Sequence, residues 1–342
     1  MLVRFGYVAM SVQLENASPS RTMTMASFSK LADREAGLRR LERLAEENLQ
    51  NTLRLLKHNR YMEVQVYRMT SKLIPLATHG DLKDWNPYPV LANAFAEVGG
   101  FVREHGMRVS FHPDHFTVLS TPREEVYRNS VKDLEYHVRI LEAMGLDERA
   151  TCNIHIGGSY GDKVVAGSRF IRQFRMLEPR IAQRITLEND DKTFTAAETL
   201  AISEEVGAPM VLDIHHHAVN PGNERAEELW PKILKTWDNS AWNVKQAEAV
   251  KKGQAPDWLP PKLHVSSPKS LTDPRSHADH IDITPLLNFL TSIAGSTRAI
   301  DVMIEAKRKD EALFQLMDDF RGIEAAGGPV RIIDGGSLEV IV

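Results

Sequence analysis

Residues 152–189 read CNIHIGGSYGDKVVAGSRFIRQFRMLEPRIAQRITLEN and contain one strand–helix–strand unit. Cys152–Ile156 is a short, β-branched apolar run that stops at Gly157-Gly158, and the amphipathic stretch Lys163–Leu177 follows it. Arg184–Asn189 is a second short strand of the same kind. Two strands joined through a helix pair in parallel. Each of them also ends on a side chain able to bind a metal, His155 in the first and Glu188 in the second.

The same unit recurs in both directions. Further strands are predicted over Val3–Val8, Met62–Tyr67, Met107–His112, Met210–Ile214, Lys262–Ser266 and Ala299–Glu305. Helices are predicted over Asp33–His58, Val90–His105, Arg123–Met144, Ala196–Val206, Ala226–Trp237, Ile283–Ile293 and Asp310–Ala325. Thr121-Pro122 and Gly145 mark the start and stop of the Arg123–Met144 helix. Eight strands, each followed by a helix, predict an α/β protein, a single-domain (β/α)8 TIM barrel over residues 1–325. An open doubly wound sheet is the alternative. It lacks support, because no G-x-G-x-x-G follows the first strand and no phosphate-loop motif occurs. Residues 239–261, with Trp242, Trp258 and Pro260-Pro261, read as an inserted helix and loop, and residues 326–342 as a C-terminal tail with a short strand hairpin.

Composition narrows the class. Hydrophobic residues make up 42% and charged residues 26%, the mix of a soluble protein with a sizeable core. No apolar run approaches the roughly 20 residues that span a bilayer, and Arg4 interrupts an N-terminus that reads as a strand and not as a signal peptide. The single cysteine, Cys152, rules out an internal disulfide and fits a cytoplasmic location. The net charge of −4 gives no basic footprint for nucleic acid, but bound cations can reverse the local sign, and Lys251-Lys252 and Lys307-Arg308-Lys309 are basic clusters. Net charge therefore decides nothing about DNA.

Six of the eight strands end in, or just before, a ligand-type side chain. These are His112, His155, Glu188, Asp213 with His216 just beyond, His264 with His277 in the loop after it, and Glu305. In a parallel barrel all strand C-termini open on one face, so these groups converge. Three carboxylates gathered in a partly dry pocket repel one another and lose hydration, which cations would offset. Imidazoles mixed with carboxylates suit Zn, Mn or Fe better than Mg or Ca. The ligand count fits two or three ions.

Each residue has a plainer alternative. A histidine ending a strand can be a hydrogen-bonded structural group, and an acid there can cap the next helix, a role that suits Asp190 or Asp191 better than Glu188. His215 and His217 can lie in the core or on the surface. Ser159, in Gly-Gly-Ser-Tyr-Gly, does not match a nucleophile elbow. Gly157-Gly158 reads as a turn or as a close approach to phosphate, and Cys152 as a small core residue.

At these positions the sequence resembles the UV damage endonucleases, the DNA-repair branch of the metal-dependent barrels that include endonuclease IV and xylose isomerase. The likeness is carried by Arg4-Phe-Gly-Tyr7, Ala45–Leu56, Leu73-Ile-Pro-Leu-Ala-Thr-His79, Ser110-Phe-His-Pro113, Asn153-Ile-His-Ile-Gly-Gly158, Thr186-Leu-Glu-Asn-Asp-Asp-Lys192, Asp213–His217, Lys262-Leu-His-Val-Ser-Ser-Pro-Lys269 and Met303-Ile-Glu-Ala-Lys307. It runs from the first strand to about residue 320. It implies a nuclease, a phosphodiester hydrolase of damaged double-stranded DNA that cuts immediately 5′ to UV photoproducts and also at abasic sites. The products would be a 3′-hydroxyl and a 5′-phosphate. It implies His112, His155 and Glu188 around one metal, Glu188, Asp213, His264 and Glu305 around a second, and His216 with His277 at a third. Manganese (Mn2+) is the usual ion implied, with zinc or another divalent ion as the alternative. A monomer with no organic cofactor and no membrane partner is expected.

The resemblance also gives catalytic places to Glu188, Tyr7, Lys262 and Lys307. Tyr7 can equally be a core residue. Lys262 reads either as a lysine carrying a carboxylate adduct or as one binding DNA phosphate. Where the family has a small or amide residue, glutamine and an aromatic after His112-Pro113, this chain has Asp114, His115 and Phe116. His115 and Phe116 are therefore the expected lesion probes, with Phe116 as the wedge. Ser11 and Gln13 are both candidates for a further probe in the first loop. Competing functions are an endonuclease restricted to abasic sites, a sugar isomerase and a non-catalytic DNA-binding protein. Nicking of irradiated against abasic DNA, ketose–aldose conversion, and binding without cleavage tell them apart.

Overall fold

The computed structural model describes residues 1–341, and Val342, the last residue of the expected tail, lies outside the described residues. The strands are β1 (Leu2–Val8), β2 (Val66–Arg68), β3 (Arg108–Phe111), β4 (Thr151–His155), β5 (Ile185–Glu188), β6 (Met210–Asp213) and β7 (Lys262–Val265). A hairpin of β8 (Pro268–Ser270) and β9 (Asp273–His277) precedes the eighth barrel strand, β10 (Ala299–Ile304). Each barrel strand pairs in parallel with its neighbour, and β10 pairs with both β7 and β1, so the ring is closed. The protein is a single-domain (β/α)8 barrel.

Strand alternation gives the barrel two chemistries. One set of residues packs against the helices and is apolar: Phe5 and Tyr7 on β1, Phe111 on β3, Ile154 on β4, Leu187 on β5 and Leu263 on β7 belong to one continuous core. The alternate set faces inward and is largely polar. At the lower end, Asp301 on β10 takes Arg4 Nε at 2.6 Å and Arg108 Nη1 at 2.5 Å, with the Arg108 guanidinium 5.2 Å above the Trp237 ring. Higher up, Lys262 Nζ crosses from β7 to donate to Ser110 Oγ on β3 at 3.0 Å. The acids and imidazoles occupy the upper end. Burying a charge costs least when it is paired, and beneath the mouth Asp301 answers Arg4 and Arg108 while the Ser110 hydroxyl accepts from Lys262.

Two elements differ from expectation. The second strand, predicted from Met62, begins at Val66, because the helix Arg34–Tyr61 runs on past His58 and Glu63 then takes a left-handed φ of 61°. The chain of Gly335-Gly336 presses on this corner, where a Cβ would lie 2.4 Å from Met62 O and 2.8 Å from Glu63 O respectively. With β2 starting only opposite Gly6, the first half of β1 is free to pair antiparallel with β12 (Ser337–Val340), which forms a hairpin with β11 (Val330–Ile332). The histidine run is the second difference. Residues Ile214–Val219 form a short helix because Asp213 Oδ1 accepts the His216 amide at 2.7 Å and caps it. No helix among the described residues is long and apolar enough to cross a membrane.

Candidate metal centre

The upper ends of six strands bring the expected ligands together. Three groups of ligand atoms lie close enough to share an ion: His112, His155 and Glu188; Glu188, Asp213 and His216; and Glu188, His264 and Glu305. Glu188 belongs to all three. Its Oε2 is 3.2 Å from His112 Nε2 and 3.1 Å from His264 Nδ1, and its Oε1 is 3.5 Å from His216 Nδ1. His216 lies with Asp213 and Glu188, and its ring is also 6.4 Å, centroid to centroid, from that of His277, which is 4.0 Å from Glu305.

The ring orientations are set from behind. Nδ1 of His112 lies 2.9 Å from Pro113 O, that of His216 3.0 Å from Asn189 O, and that of His155 3.3 Å from Glu188 O. A carbonyl only accepts, so in neutral His112 and His155 Nδ1 carries the proton and Nε2 keeps the lone pair a metal needs, whereas in His216 the nitrogen beside Asn189 O is also the one that faces Glu188 and Asp213. Glu188 is braced in the same way. Thr186 Oγ1 donates to Asn153 Oδ1 at 2.8 Å, and the Asn153 amide donates to Glu188 Oε2. The side chains of Asn189 and the backbone of Asp213 exchange two hydrogen bonds of 2.9 Å, which lock the ends of β5 and β6 together.

Two buried atoms in this cluster, Asp213 Oδ2 and His264 Nδ1, have no hydrogen-bond partner among the described residues. His264 Nδ1 lies within 3.2 Å of carboxylates on both Glu188 and Glu305, off the line of a well-aligned hydrogen bond. Burial opposes protonation of His264, but the two carboxylates outweigh it and push the imidazole up to about 9. Burial favours the neutral acid at Glu188, but His264 and His155 hold it well below the usual carboxylate range. Asp213 moves the other way, raised by burial and by its acidic neighbours Glu188 and Glu305. Positive charge is what this site demands. Unpartnered N and O donors, lone pairs aimed at one another and three buried acids fit divalent first-row cations.

The cluster opens onto a cleft of about 380 Å³ walled by Pro113, His115, His155, Gly157, His216 and His277. His115 and Phe116 sit on its rim, with Phe116 73% exposed and the two rings 4.1 Å apart. Lys307 lines a smaller recess beside Glu305. Lys262 does face inward, as alternation predicts, but it is buried beneath the cluster and cannot reach a DNA phosphate. Burial, with Arg108 next in effect, holds its amine well below the usual lysine range, in the neutral form that an adduct with carbon dioxide requires.

Tyr7 is not part of the site. It shares the outward parity of Phe5, is fully buried, and donates its hydroxyl to Asn59 Oδ1 at 2.5 Å in the helix layer. Of the two candidates in the first loop, Ser11 is occupied, its hydroxyl bonded to buried Asp310, whereas Gln13 is exposed. His215 is structural, bridging Ser266 Oγ at 2.5 Å and Pro274 O at 2.7 Å so that the β8–β9 hairpin is tied to the barrel. Asp190 organises its own loop by accepting the amides of Lys192 and Phe194 at 2.8 Å and 3.0 Å, while Thr195 caps the helix that follows. Burial pushes the Cys152 thiol up to about 12, which makes it inert. Sequence reasoning passed over Arg68, which bonds Glu305, and Asn153, which braces Glu188. Asn153 sits two residues before His155, at the same inward parity. That spacing was the available signal.

Comparison with known proteins adds an independent line. The family described as UV-endonuclease UvdE matches residues 3–331. A UV DNA damage endonuclease of Halalkalibacterium halodurans is 42% identical over 93% of this chain and 94% of its own length. One from Bacillus pumilus is 39% identical over 99% of both chains. The solved structure of SacUVDE superposes with a TM-score of 0.78 at 27% identity, covering 95% of this chain and 99% of that one. Endonuclease IV of Thermus thermophilus, at 12% identity and a TM-score of 0.52, shares the fold.

Proposed function

Because this chain belongs to the UV-endonuclease UvdE family and is a UV DNA damage endonuclease, we propose that it uses divalent cations to hydrolyse the phosphodiester immediately 5′ to a photoproduct. The break leaves a 3′-hydroxyl and a 5′-phosphate, and abasic sites are a second substrate. The observation that carries this reading is the single carboxylate of Glu188 shared among three ligand groups. Cations held there, with manganese the ion we infer, would act as Lewis acids on a phosphoryl oxygen and lower the pKa of water.

The chain's own residues do the rest. Asn153 and Thr186 fix Glu188, so its charge needs no reorganisation as the reaction proceeds. The backbone carbonyls behind His112 and His155 keep those rings in one tautomer. Lys307, which lines the recess beside Glu305, would meet the DNA backbone.

The test is nicking of supercoiled plasmid that is UV-irradiated, depurinated or undamaged, with manganese or with a chelator. Relaxation of the irradiated and depurinated plasmids, with manganese only, is expected. Cleavage of depurinated plasmid alone would instead mark an abasic-site enzyme.

Exposed Phe116 supplies the discrimination. Base–aromatic stacking contributes about 1–3 kcal/mol, so Phe116→Ala should reduce the preference for damaged over intact duplex by roughly 5- to 150-fold. Competitive binding of irradiated and plain oligonucleotides measures this, and an unchanged preference would assign the wedge to another residue.

A further inference from the structure

Beside the three ligand groups, and sharing Glu305 with one of them, lies a recess of about 160 Å³ whose wall carries Arg68, Lys307 and Lys309 together with Glu305 and His277. Glu305 answers Arg68, which leaves the two lysine charges without a counter-ion in so small a space, and an anion between them would offset their repulsion. Arg68 commits one N–H to Glu305, and the remainder of its guanidinium has no hydrogen-bond partner among the described residues. Neither lysine ammonium forms a hydrogen bond or ion pair among the described residues, although Lys309 is half-buried. Arg308, between them, turns away and pairs with Glu311 on its own helix.

The backbone is built to hold this arrangement. Lys309 opens the helix Lys309–Ala325 with φ of 50°, a left-handed conformation that a residue with a Cβ rarely adopts. The turn is pinned by the Lys307 amide on Ala278 O at 3.0 Å and the Arg308 amide on Asp279 O at 3.1 Å. Strain of this sort persists only where the surroundings impose it, and it concentrates at ligand clamps.

We propose that Arg68, Lys307 and Lys309 form a seat for a backbone phosphate next to the one that is cut. The seat rests on the function proposed above. It orders the DNA strand and takes no part in bond breaking, so Lys309 is a positioning residue.

The experiment measures binding of a duplex with one defined photoproduct across a range of KCl, together with single-turnover nicking at saturating enzyme. Each phosphate neutralised contributes about 0.9 to the slope of log affinity against log salt. Lys309→Met should lower that slope by about 1 and weaken binding several-fold, with the saturated nicking rate changed less than about twofold, because Lys309 acts only on binding. Lys309→Arg should restore the slope. Lys309→Gly, which accepts a positive φ freely, should melt no lower than the parent and still lose the phosphate contact, so a binding loss cannot be ascribed to misfolding. An unchanged slope in Lys309→Met overturns the seat alone. Failure of the parent protein to bind irradiated duplex overturns the proposed function and the seat together.

Discussion

Replacing Glu188 with glutamine is expected to lower single-turnover nicking of irradiated duplex by at least about 10³-fold, the upper end of what one preorganised electrostatic group contributes. The amide keeps the shape of the side chain and removes its charge. That charge is what His112, His264 and His216 gather around, and among the described residues no second carboxylate belongs to all three groups. Affinity for DNA should stay within about threefold, because phosphate contacts supply most of it and Glu188 is buried below the cleft. A rate within about tenfold of the parent, read by gel at saturating enzyme, would remove Glu188 from the centre of the chemistry.

The second large effect is on stability. Asp301 is fully buried and answers two arginines, of which Arg108 is buried as well. Breaking a buried pair by neutralising one member leaves an uncompensated charge and costs about 3–5 kcal/mol. Asp301→Asn should therefore lower the melting temperature by roughly 5–10 °C. Burial alone would raise the Asp301 carboxyl, but Arg4 and Arg108 outweigh it and hold it below the usual carboxylate range. For a depressed carboxylate the stabilisation is complete above the unfolded value, about 3.9, and is lost as pH falls through the lower folded value. The gap in stability between the parent and Asp301→Asn should thus be constant from about pH 8 to 5 and close only below about pH 4. Denaturant titrations at a series of pH values check this, and a gap that persists unchanged at lower pH would show that Asp301 is not the titrating group.

How far these features were legible in the sequence depends on which physical rule governed each. Strand ends made His155 and Glu188 legible, and alternation along β4 and β5 sets Asn153 and Thr186, two positions earlier, on the same inward side. The same rule, applied to β1, sets Tyr7 with Phe5 on the helix side. Motif likeness pointed the other way, and alternation prevailed. Arg68 was hidden by a shifted strand start, since the left-handed turn at Glu63 depends on glycines 335 and 336, far away in sequence. His216 reached the cluster through a helical turn that a side-chain cap created. The β8–β9 hairpin carries Pro268 and Pro274 and shows no alternation, so it reads as loop. It is held by His215 instead.

The most direct measurement of whether the mouth of this barrel gathers shared cations is anomalous diffraction from crystals soaked in manganese, with Glu188→Gln alongside. At least two manganese peaks are predicted within coordination distance of Glu188 and its partners, and the variant should lose one or more of them. No manganese peak between Glu188 and the histidines, in protein that still nicks irradiated DNA, would contradict the account.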